Sequence, residues 1–161
     1  MAEYRRDFPG GRAGVCILKQ IFYGDSDLVK QWMAPRIGSP APAHHNTICL
    51  VEGEKILAGV WLENYNGVSA VLHVAGEGKR WLTRAFAEAV FHYAFNVLGC
   101  KKLIGVVSSA NTQARRFDEH LGFKIETVIE DADPTGSLII YSLKRSDCKF
   151  LGETHGEALR A

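Results

Sequence analysis

The sequence predicts a mixed α/β fold, an α+β arrangement with helices on both faces of one central sheet. The first observation is a change of period at Gly76. Apolar residues alternate over residues 68–74, as in a strand, and then recur every three or four residues, as in a helix. The second is the short apolar run 103–107, typical of a buried strand parallel to the first. The third is Asn66-Gly67, a strong hairpin signal that places antiparallel strands before the parallel pair.

The first half of the chain is predicted to supply the antiparallel strands and one helix. Residues 15–23 have the β-branched and aromatic character of a strand. Asp25-Ser26-Asp27 supplies N-cap chemistry for a short helix that Pro35 should interrupt. Residues 47–52 and 55–65 are predicted strands on either side of a Gly-Glu turn.

The second half should contain two helices and a closing hairpin. An apolar stripe from Leu82 to Val97 predicts a long helix, which Gly99 ends. Residues 111–122 predict a second helix, capped by an asparagine and ended by a glycine. Strands 124–129 and 137–144, separated by a turn-rich segment, form the predicted hairpin.

Length and composition favour one domain covering residues 1–161. The chain is 47% hydrophobic and 23% charged, which is ordinary globular composition, and residues 145–161 show no sustained pattern and are predicted to be a mobile tail. The 19 basic and 18 acidic residues give a net charge of +1, so neither nucleic acid nor a membrane surface is an expected partner. A monomer and a dimer are both compatible with this composition.

The cysteines favour a reducing compartment and no metal. Cys16, Cys49, Cys100 and Cys148 are far apart and form no C-x-x-C pair, which suits reduced thiols in a cytoplasm. The start of the chain lacks the apolar region of a signal peptide. His44-His45 with Cys49 would lack a fourth zinc ligand, so no metal site is expected.

One motif resembles a known family. Asn111-x-x-Ala, an aromatic residue and Glu-x-Leu-Gly-Phe123 follow a strand, a loop, a helix and a strand. This order is similar to the second half of the GNAT superfamily of acyl-CoA-dependent N-acetyltransferases, and the resemblance covers roughly residues 47–144. Within that superfamily, the segment Trp81-Leu82-Thr83-Arg84 most resembles small acetyltransferase-like proteins of tailed phages. A phage origin would place the protein in the host cytoplasm.

The resemblance implies an acetyl-CoA site. Residues 76–80 would sit at a helix N-terminus, whose free N–H groups can hold a pyrophosphate, although a plain glycine turn has the same sequence. The glycines are also out of phase with the usual Gln/Arg-x-x-Gly-x-Gly/Ala corner of the superfamily. The predicted cofactor-binding residues are Leu72, Val74, Gly76, Gly78, Lys79, Arg80, Asn111 and Arg115.

The catalytic candidates are a base and an unassigned acid. His73 is the predicted base, because imidazoles titrate near neutrality, and Glu63 on the neighbouring strand is the alternative. The superfamily commonly has a tyrosine general acid where Asp118 stands here, and an aspartate ionised at neutral pH cannot donate a proton. The remaining hydroxyl donors, which the sequence does not rank, are Ser108, Ser109, Tyr93 and Tyr141.

Two classes of function therefore remain open. The first is transfer of an acetyl group from acetyl-CoA to a primary amine of a small molecule or a protein. The second is a binding protein that keeps the fold with weak or no catalysis, such as a phage factor that engages a host protein or a virion component. The atypical glycine corner and Asp118 favour the second class, and the motif that begins at Asn111 favours the first.

Overall fold

The computed structural model describes residues 18–24, 26–40 and 45–152, which form one mixed α/β domain. A π-helical turn, Tyr93–Val97, continues the second α-helix, and a 3-10 turn, Arg145–Asp147, follows the last strand. The elements of the described chain are, in order, β1 (Lys19–Gly24), α1 (Asp27–Ile37), β2 (His45–Glu52), β3 (Lys55–Glu63), β4 (Ser69–Gly76), α2 (Arg84–His92), β5 (Lys102–Ser108), α3 (Thr112–Leu121), β6 (Lys124–Asp133) and β7 (Gly136–Lys144).

The strands form one sheet in the order β1-β2-β3-β4-β5-β7-β6. Neighbouring strands are antiparallel except β4 and β5, which are parallel and joined through α2. The predicted fold class is confirmed: antiparallel strands lead into a parallel central pair, and a hairpin closes the sheet.

Each face of the sheet carries its own core. On the face that we call the α2 face, Leu72, Leu103 and Tyr141 pack with Phe86 and Phe91 of α2. On the opposite face, the α1 face, alternate residues of β2, β3 and β4 pack against α1; they include Cys49, Trp61 and Ala75, with Val29 and Met33 from the helix. Strand alternation therefore decides which face each residue of β4 serves.

Helix α1 continues past the proline that was expected to end it. Ser26 caps its first turn, but the helix runs through Pro35 to Ile37 and ends at Gly38, whose φ is 74°. Pro35 lacks the N–H of one helix hydrogen bond and its ring crowds the preceding turn, but it lies in the last turn, and only Arg36 and Ile37 follow it in the helix. The predicted interruption at Pro35 is therefore wrong by about one turn.

Helix α2 is shorter than its apolar stripe suggests. It begins at Arg84, because the Thr83 hydroxyl accepts the N–H of Phe86, and it becomes a π-helical turn at Tyr93. The ends of the predicted stripe are exposed, with Leu82 at 38% and Val97 at 60%. In the π turn the Phe95 carbonyl accepts a hydrogen bond of 2.6 Å from the Arg145 guanidinium.

The hairpins agree with the turn chemistry. In the loop between β3 and β4, the Asn66 side chain accepts the N–H groups of Val68 and Ser69 at 3.0 and 2.8 Å, and Gly67 has a φ of 86°. The closing turn between β6 and β7 is shorter than expected, since β6 extends to Asp133. The first part of the segment that was predicted to be a mobile tail packs against the α2 face, where Phe150 stacks on Phe91 at 5.3 Å.

Cys49, Cys100 and Cys148 are buried free thiols, and Cys16 lies outside the described residues. Among the helices that the structure describes, none has the length and apolar character needed to cross a bilayer.

Helix α3 has the predicted ends. The Asn111 side chain accepts the N–H of Ala114 at 3.0 Å, and Gly122 ends the helix with a φ of 101°. Phe117 and Ala114 pack against the α2-face core, and Leu121 lies within it.

We expect Asn111→Ala to lower the free energy of unfolding by about 1 kcal/mol, because the cap of α3 loses its acceptor. Urea denaturation measures this change. Asn111→Asp keeps an acceptor and Thr112→Ala alters the neighbouring exposed residue, so both should stay closer to the wild type. An Asn111→Ala midpoint equal to that of the wild type would contradict the cap.

Candidate functional site

The parallel strands β4 and β5 separate shortly after they meet. Residues 69–71 pair with residues 102–104, and the pairing stops there, although β4 continues to Gly76 and β5 to Ser108. The outer edges remain paired, β4 with β3 and β5 with β7. We call this opening the fork. Its facing edges offer backbone N–H and C=O groups that the sheet leaves available.

A loop rich in free N–H donors lies at the open end of the fork. It connects Gly76 to Thr83, and its backbone N–H groups at residues 78–82 donate to no other described residue. Gly78 has a φ of 72°, which suits a turn that gathers N–H groups on one side. The predicted position of residues 76–80 at a helix N-terminus is wrong, because α2 begins only at Arg84.

The loop also carries charge. Glu77 forms ion pairs with Lys55 at 3.1 Å and Arg36 at 3.3 Å, and its hydrogen bond with Lys55 lowers the pKa of the carboxyl below its usual range. Lys79 and Arg80 are exposed and form no ion pair with another described residue. Two cations therefore remain available for an anionic ligand at this loop.

Trp81 closes the corner between β4 and α3. A Cβ added at Gly76 would lie 2.1 Å from the indole, so only glycine leaves room for the ring. The ring also contacts Phe117 of α3, with centroids 5.7 Å apart, and Phe86 of α2 at 6.4 Å. Trp81 thus lies across the open end of the fork on the α2 face.

His73 and Glu63, the two predicted base candidates, form a pair on the α1 face. The His73 Nε2 atom lies 2.7 Å from Glu63 Oε1, and each side chain is 21% exposed. Trp61 contacts the imidazole edge-on at 5.7 Å. A carboxylate that accepts the Nε2–H orients the ring and leaves Nδ1 free to accept a proton.

Asp118 lies on the other face of the sheet, against β5. A Cβ at Gly105 would meet Asp118 Oδ2 at 2.9 Å, so the carboxyl rests on the strand where a side chain would otherwise stand. Burial, with a smaller effect from Glu119, raises the pKa of Asp118 to about 7. This value differs from the expectation of a carboxylate fully ionised at neutral pH, because desolvation disfavours the charged form.

The hydroxyl candidates all have partners. Ser108 donates to Asp133 at 3.0 Å, Tyr93 to Asn46 at 3.2 Å and Tyr141 to Glu119 at 3.1 Å. The Ser109 hydroxyl accepts the Ser137 N–H at 3.1 Å. These bonds join loops and helices to the sheet and account for the hydroxyls structurally.

The remaining predicted cofactor residues lie around the fork. Leu72 and Val74 are the fork residues of β4 whose side chains pack on the α2-face core. Arg115 turns toward the sheet, where it donates to the Ser109 carbonyl at 3.3 Å and its buried Nε atom has no partner within the described chain. Asn111 caps α3, and its side chain is occupied by that role.

No group of three or more His, Cys, Asp or Glu side chains in the described ranges is placed to hold a metal ion. His44, one of the three residues considered from the sequence as metal ligands and rejected, lies outside those ranges.

Comparison with known proteins identifies the fold. No family model and no curated sequence matches the chain. Several solved structures are similar to it. One is spermidine/spermine N-acetyltransferase SpeG from Vibrio cholerae, which has 13% sequence identity and a TM-score of 0.63, over 80% of this chain and 93% of that chain. Ribosomal-protein-S5-alanine acetyltransferase from Vibrio fischeri has 14% identity, a TM-score of 0.56 and coverage of 65% and 64%.

A third structure, yncA from Salmonella typhimurium, was solved with its cofactor acetyl-CoA; it has 10% identity, a TM-score of 0.61 and coverage of 78% and 93%. At these identities the likeness concerns the fold, which is that of the GNAT acetyltransferases. The closer resemblance to phage proteins receives no support from these structures.

Two parts of the site escaped the sequence patterns. Trp81 was assigned to no site, because its contact with Gly76 follows from the path of the loop. Asp118 was rejected on its ordinary pKa. The available signal for its partial burial was its spacing on α3, four residues after Ala114 and three before Leu121.

We expect Asp118→Asn to stabilise the protein at alkaline pH. The folded-state pKa of about 7 lies above the ordinary value, so the favourable contribution of the protonated form is complete below the unfolded-state pKa and is lost as the pH rises through 7. The variant should match the wild type near pH 4 and exceed it by on the order of 3 kcal/mol above pH 8.

Urea denaturation from pH 4 to 9 measures this difference. Asn111→Ala, which changes no titratable group, should differ from the wild type by the same amount at every pH. A pH-independent difference for Asp118→Asn would show that the carboxyl is not perturbed by burial.

Proposed function

We propose that the protein is an N-acetyltransferase that moves an acetyl group from acetyl-CoA to a primary amine of a small molecule or a protein. The observation that carries this proposal is the fork between β4 and β5, which opens beside a loop of free N–H donors and beside the His73–Glu63 pair. The acetyltransferase neighbours support it, since one is named for spermidine and spermine and another for a ribosomal protein.

The described residues suit acetyl-CoA chemically. Its pantetheine arm carries amides that can pair with the free backbone groups of β4 and β5 at the fork. The N–H groups of residues 78–82, with Lys79 and Arg80, can hold phosphates, as anion-binding backbone concavities do. When bound, acetyl-CoA would supply an acyl group activated as a thioester.

The His73–Glu63 pair would supply the base. Glu63 accepts the Nε2–H of His73, so the free Nδ1 atom can take the proton of the attacking amine, directly or through a water. The carboxylate then stabilises the imidazolium that forms. Backbone N–H groups at the fork would stabilise the negative charge that develops on the acyl oxygen.

A second candidate, a binding protein without useful turnover, is favoured by Trp81. Its indole lies over Gly76 and reaches Phe117, so a ligand that enters the fork from the α2 face must pass this ring. Tight CoA binding without transfer to any amine would support this candidate. In either case we propose a cytoplasmic protein, on the basis of its buried free thiols.

We expect acetyl-CoA to raise the melting temperature of the wild type, since a ligand of the native state stabilises it. Gly78→Val should weaken binding more than about tenfold, equivalent to about 1.4 kcal/mol, because a β-branched residue is strained at the positive φ of this turn. Calorimetric titration with CoA measures the affinity.

The matched control is Gly67→Val. Gly67 also has a positive φ, of 86°, and also has open space where a Cβ would lie, but it belongs to the hairpin loop before β4. It should bind CoA like the wild type. Equal affinity of a folded Gly78→Val variant would remove the loop from the site.

We expect His73→Ala to lower kcat by about 10²- to 10⁴-fold with a smaller change in CoA affinity, because it removes the base. Glu63→Gln should also lower kcat, because the amide cannot stabilise an imidazolium at His73 as the carboxylate does. Initial rates of CoA release are measured with spermidine and with a peptide that begins with alanine.

His92→Ala is the control, because His92 is exposed on α2. If the amine loses its proton in solution instead, the rate will continue to rise toward the pKa of the amine, and His73→Ala will resemble the wild type.

A further inference from the structure

We propose that the protein has a separate anion site, which binds a small phosphorylated molecule at the end of the sheet opposite to the fork. The site is an open cavity of about 570 Å³, a volume within the range of small-molecule sites, roughly 300–1,000 Å³. We call it the basic cavity. Its polar lining residues are Asn96, Lys101, Lys144, Arg145 and Ser146.

The basic cavity lies at the paired end of β4 and β5. The Lys101 N–H donates to the Val68 carbonyl at 2.7 Å, one residue before the two strands begin to pair. The Arg145 N–H donates to the Lys101 carbonyl at 3.1 Å, which brings the end of β7 to the same place. The fork opens at the other ends of these strands, at Gly76 and Ser108. A ligand in the basic cavity is therefore separate from one in the fork.

The charges that line the basic cavity are all positive. Three cations and no carboxylate are among its lining residues. Lys101 and Lys144 form no ion pair with another described residue. Lys144 acts electrostatically on Glu126 and Asp147, but these carboxylates lie outside the lining, and other lysines already pair with them at 2.5 and 3.0 Å. The uncompensated positive charge favours an anionic ligand.

The Arg145 guanidinium is already oriented for a ligand. Its Nη1 atom donates to the Phe95 carbonyl of the π turn at 2.6 Å. The other two nitrogens donate to no residue that the structure describes. A guanidinium is planar and carries five N–H donors, so one fixed bond sets the direction of the remaining donors. A ligand that uses them meets a group whose orientation is set in advance.

Asn96 adds a neutral donor beside Arg145. It follows Phe95 in the π turn, and its amide forms no hydrogen bond within the described part of the chain. The amide oxygen is buried, so the NH2 group is the end of the side chain that can face the cavity. The Ser146 hydroxyl, by contrast, already donates to Asp147 at 3.1 Å. Short π-helical turns often occur at functional sites.

This set of donors suits a phosphate better than a carboxylate. A phosphate monoester carries a charge of about −1.5 to −2 at neutral pH and has three acceptor oxygens. The donors come from three places, namely the π turn, the start of β5 and the end of β7, so they can contact a tetrahedral group from several sides. A single carboxylate has one charge and two oxygens in a plane. The rest of the cavity, beside the half-buried Leu151, has room for the remainder of a small molecule.

Calorimetric titration with inorganic pyrophosphate tests the site, at constant ionic strength and both with and without saturating CoA. The wild type should bind pyrophosphate in both conditions. The double variant Lys101→Gln/Lys144→Gln should lose at least about 10-fold in affinity, because two charges beside the ligand are removed. Citrate, which carries three carboxylates, should bind the wild type more weakly than pyrophosphate does.

The matched control is the double variant Arg116→Gln/Lys149→Gln. It removes the same number of positive charges from exposed residues that do not line the cavity. It should bind pyrophosphate like the wild type, which separates a local site from an effect of net charge. Circular dichroism and melting temperature check that every variant is folded.

Each outcome bears on the basic cavity alone. A wild type that binds no pyrophosphate overturns the site, and so does a folded Lys101→Gln/Lys144→Gln variant with wild-type affinity. Citrate that binds as tightly as pyrophosphate overturns the assignment to phosphates. Pyrophosphate that CoA displaces completely belongs to the loop at residues 78–82 and also overturns the site.

The result is distinguishable from that for the proposed acetyltransferase function. Lys101→Gln/Lys144→Gln should bind CoA like the wild type, because the fork lies at the other end of the strands. A wild type that binds no CoA refutes the acetyltransferase proposal and leaves the titration with pyrophosphate as the test of the basic cavity.

Discussion

The candidate site depends on the short pairing of β4 with β5, which leaves the facing edges of the two strands open. Their shared ladder ends at Val71 and Ile104, while the outer ladders to β3 and β7 continue for several more residues. Each strand is thus held from outside while its inner edge stays open. An unmade hydrogen bond in a buried place costs about 1 to 3 kcal/mol, so an open edge inside a sheet favours a ligand with amide groups or ordered water.

The fork also joins two faces that the sheet otherwise separates. Along β4, His73 belongs to the α1 face and Leu72 to the α2 face, because neighbouring side chains of a strand point to opposite sides. Along β5, the absence of a side chain at Gly105 lets Asp118 pack against the strand on the α2 face. The His73 and Asp118 side chains therefore lie on opposite sides of the sheet, which keeps the two groups apart.

Local patterns predicted most of the fold, and they selected residues of the candidate site that lie close together in sequence. The cap, stripe and terminal glycine of α3 lie within residues 111–122. His73 and Glu63 were placed on neighbouring strands, because the hairpin between those strands is local in sequence. Long-range features could not be predicted in this way. The protonation of Asp118 depends on burial against β5, and the end of the shared ladder depends on where two distant segments separate. Pro35 was misjudged because the cost of a proline depends on its distance from the helix end.

The glycines near the fork have two different structural roles. Gly76 leaves room for the Trp81 ring, and Gly105 leaves room for Asp118, so both act by admitting a side chain from another element. Gly78 instead has open space around it and serves through its positive φ. Gly76 packs against the Trp81 ring, so the turn that exposes N–H groups is formed by Gly78 and the residues after it. The N–H groups of this turn therefore lie beside Lys79 and Arg80, several residues before the start of α2 at Arg84.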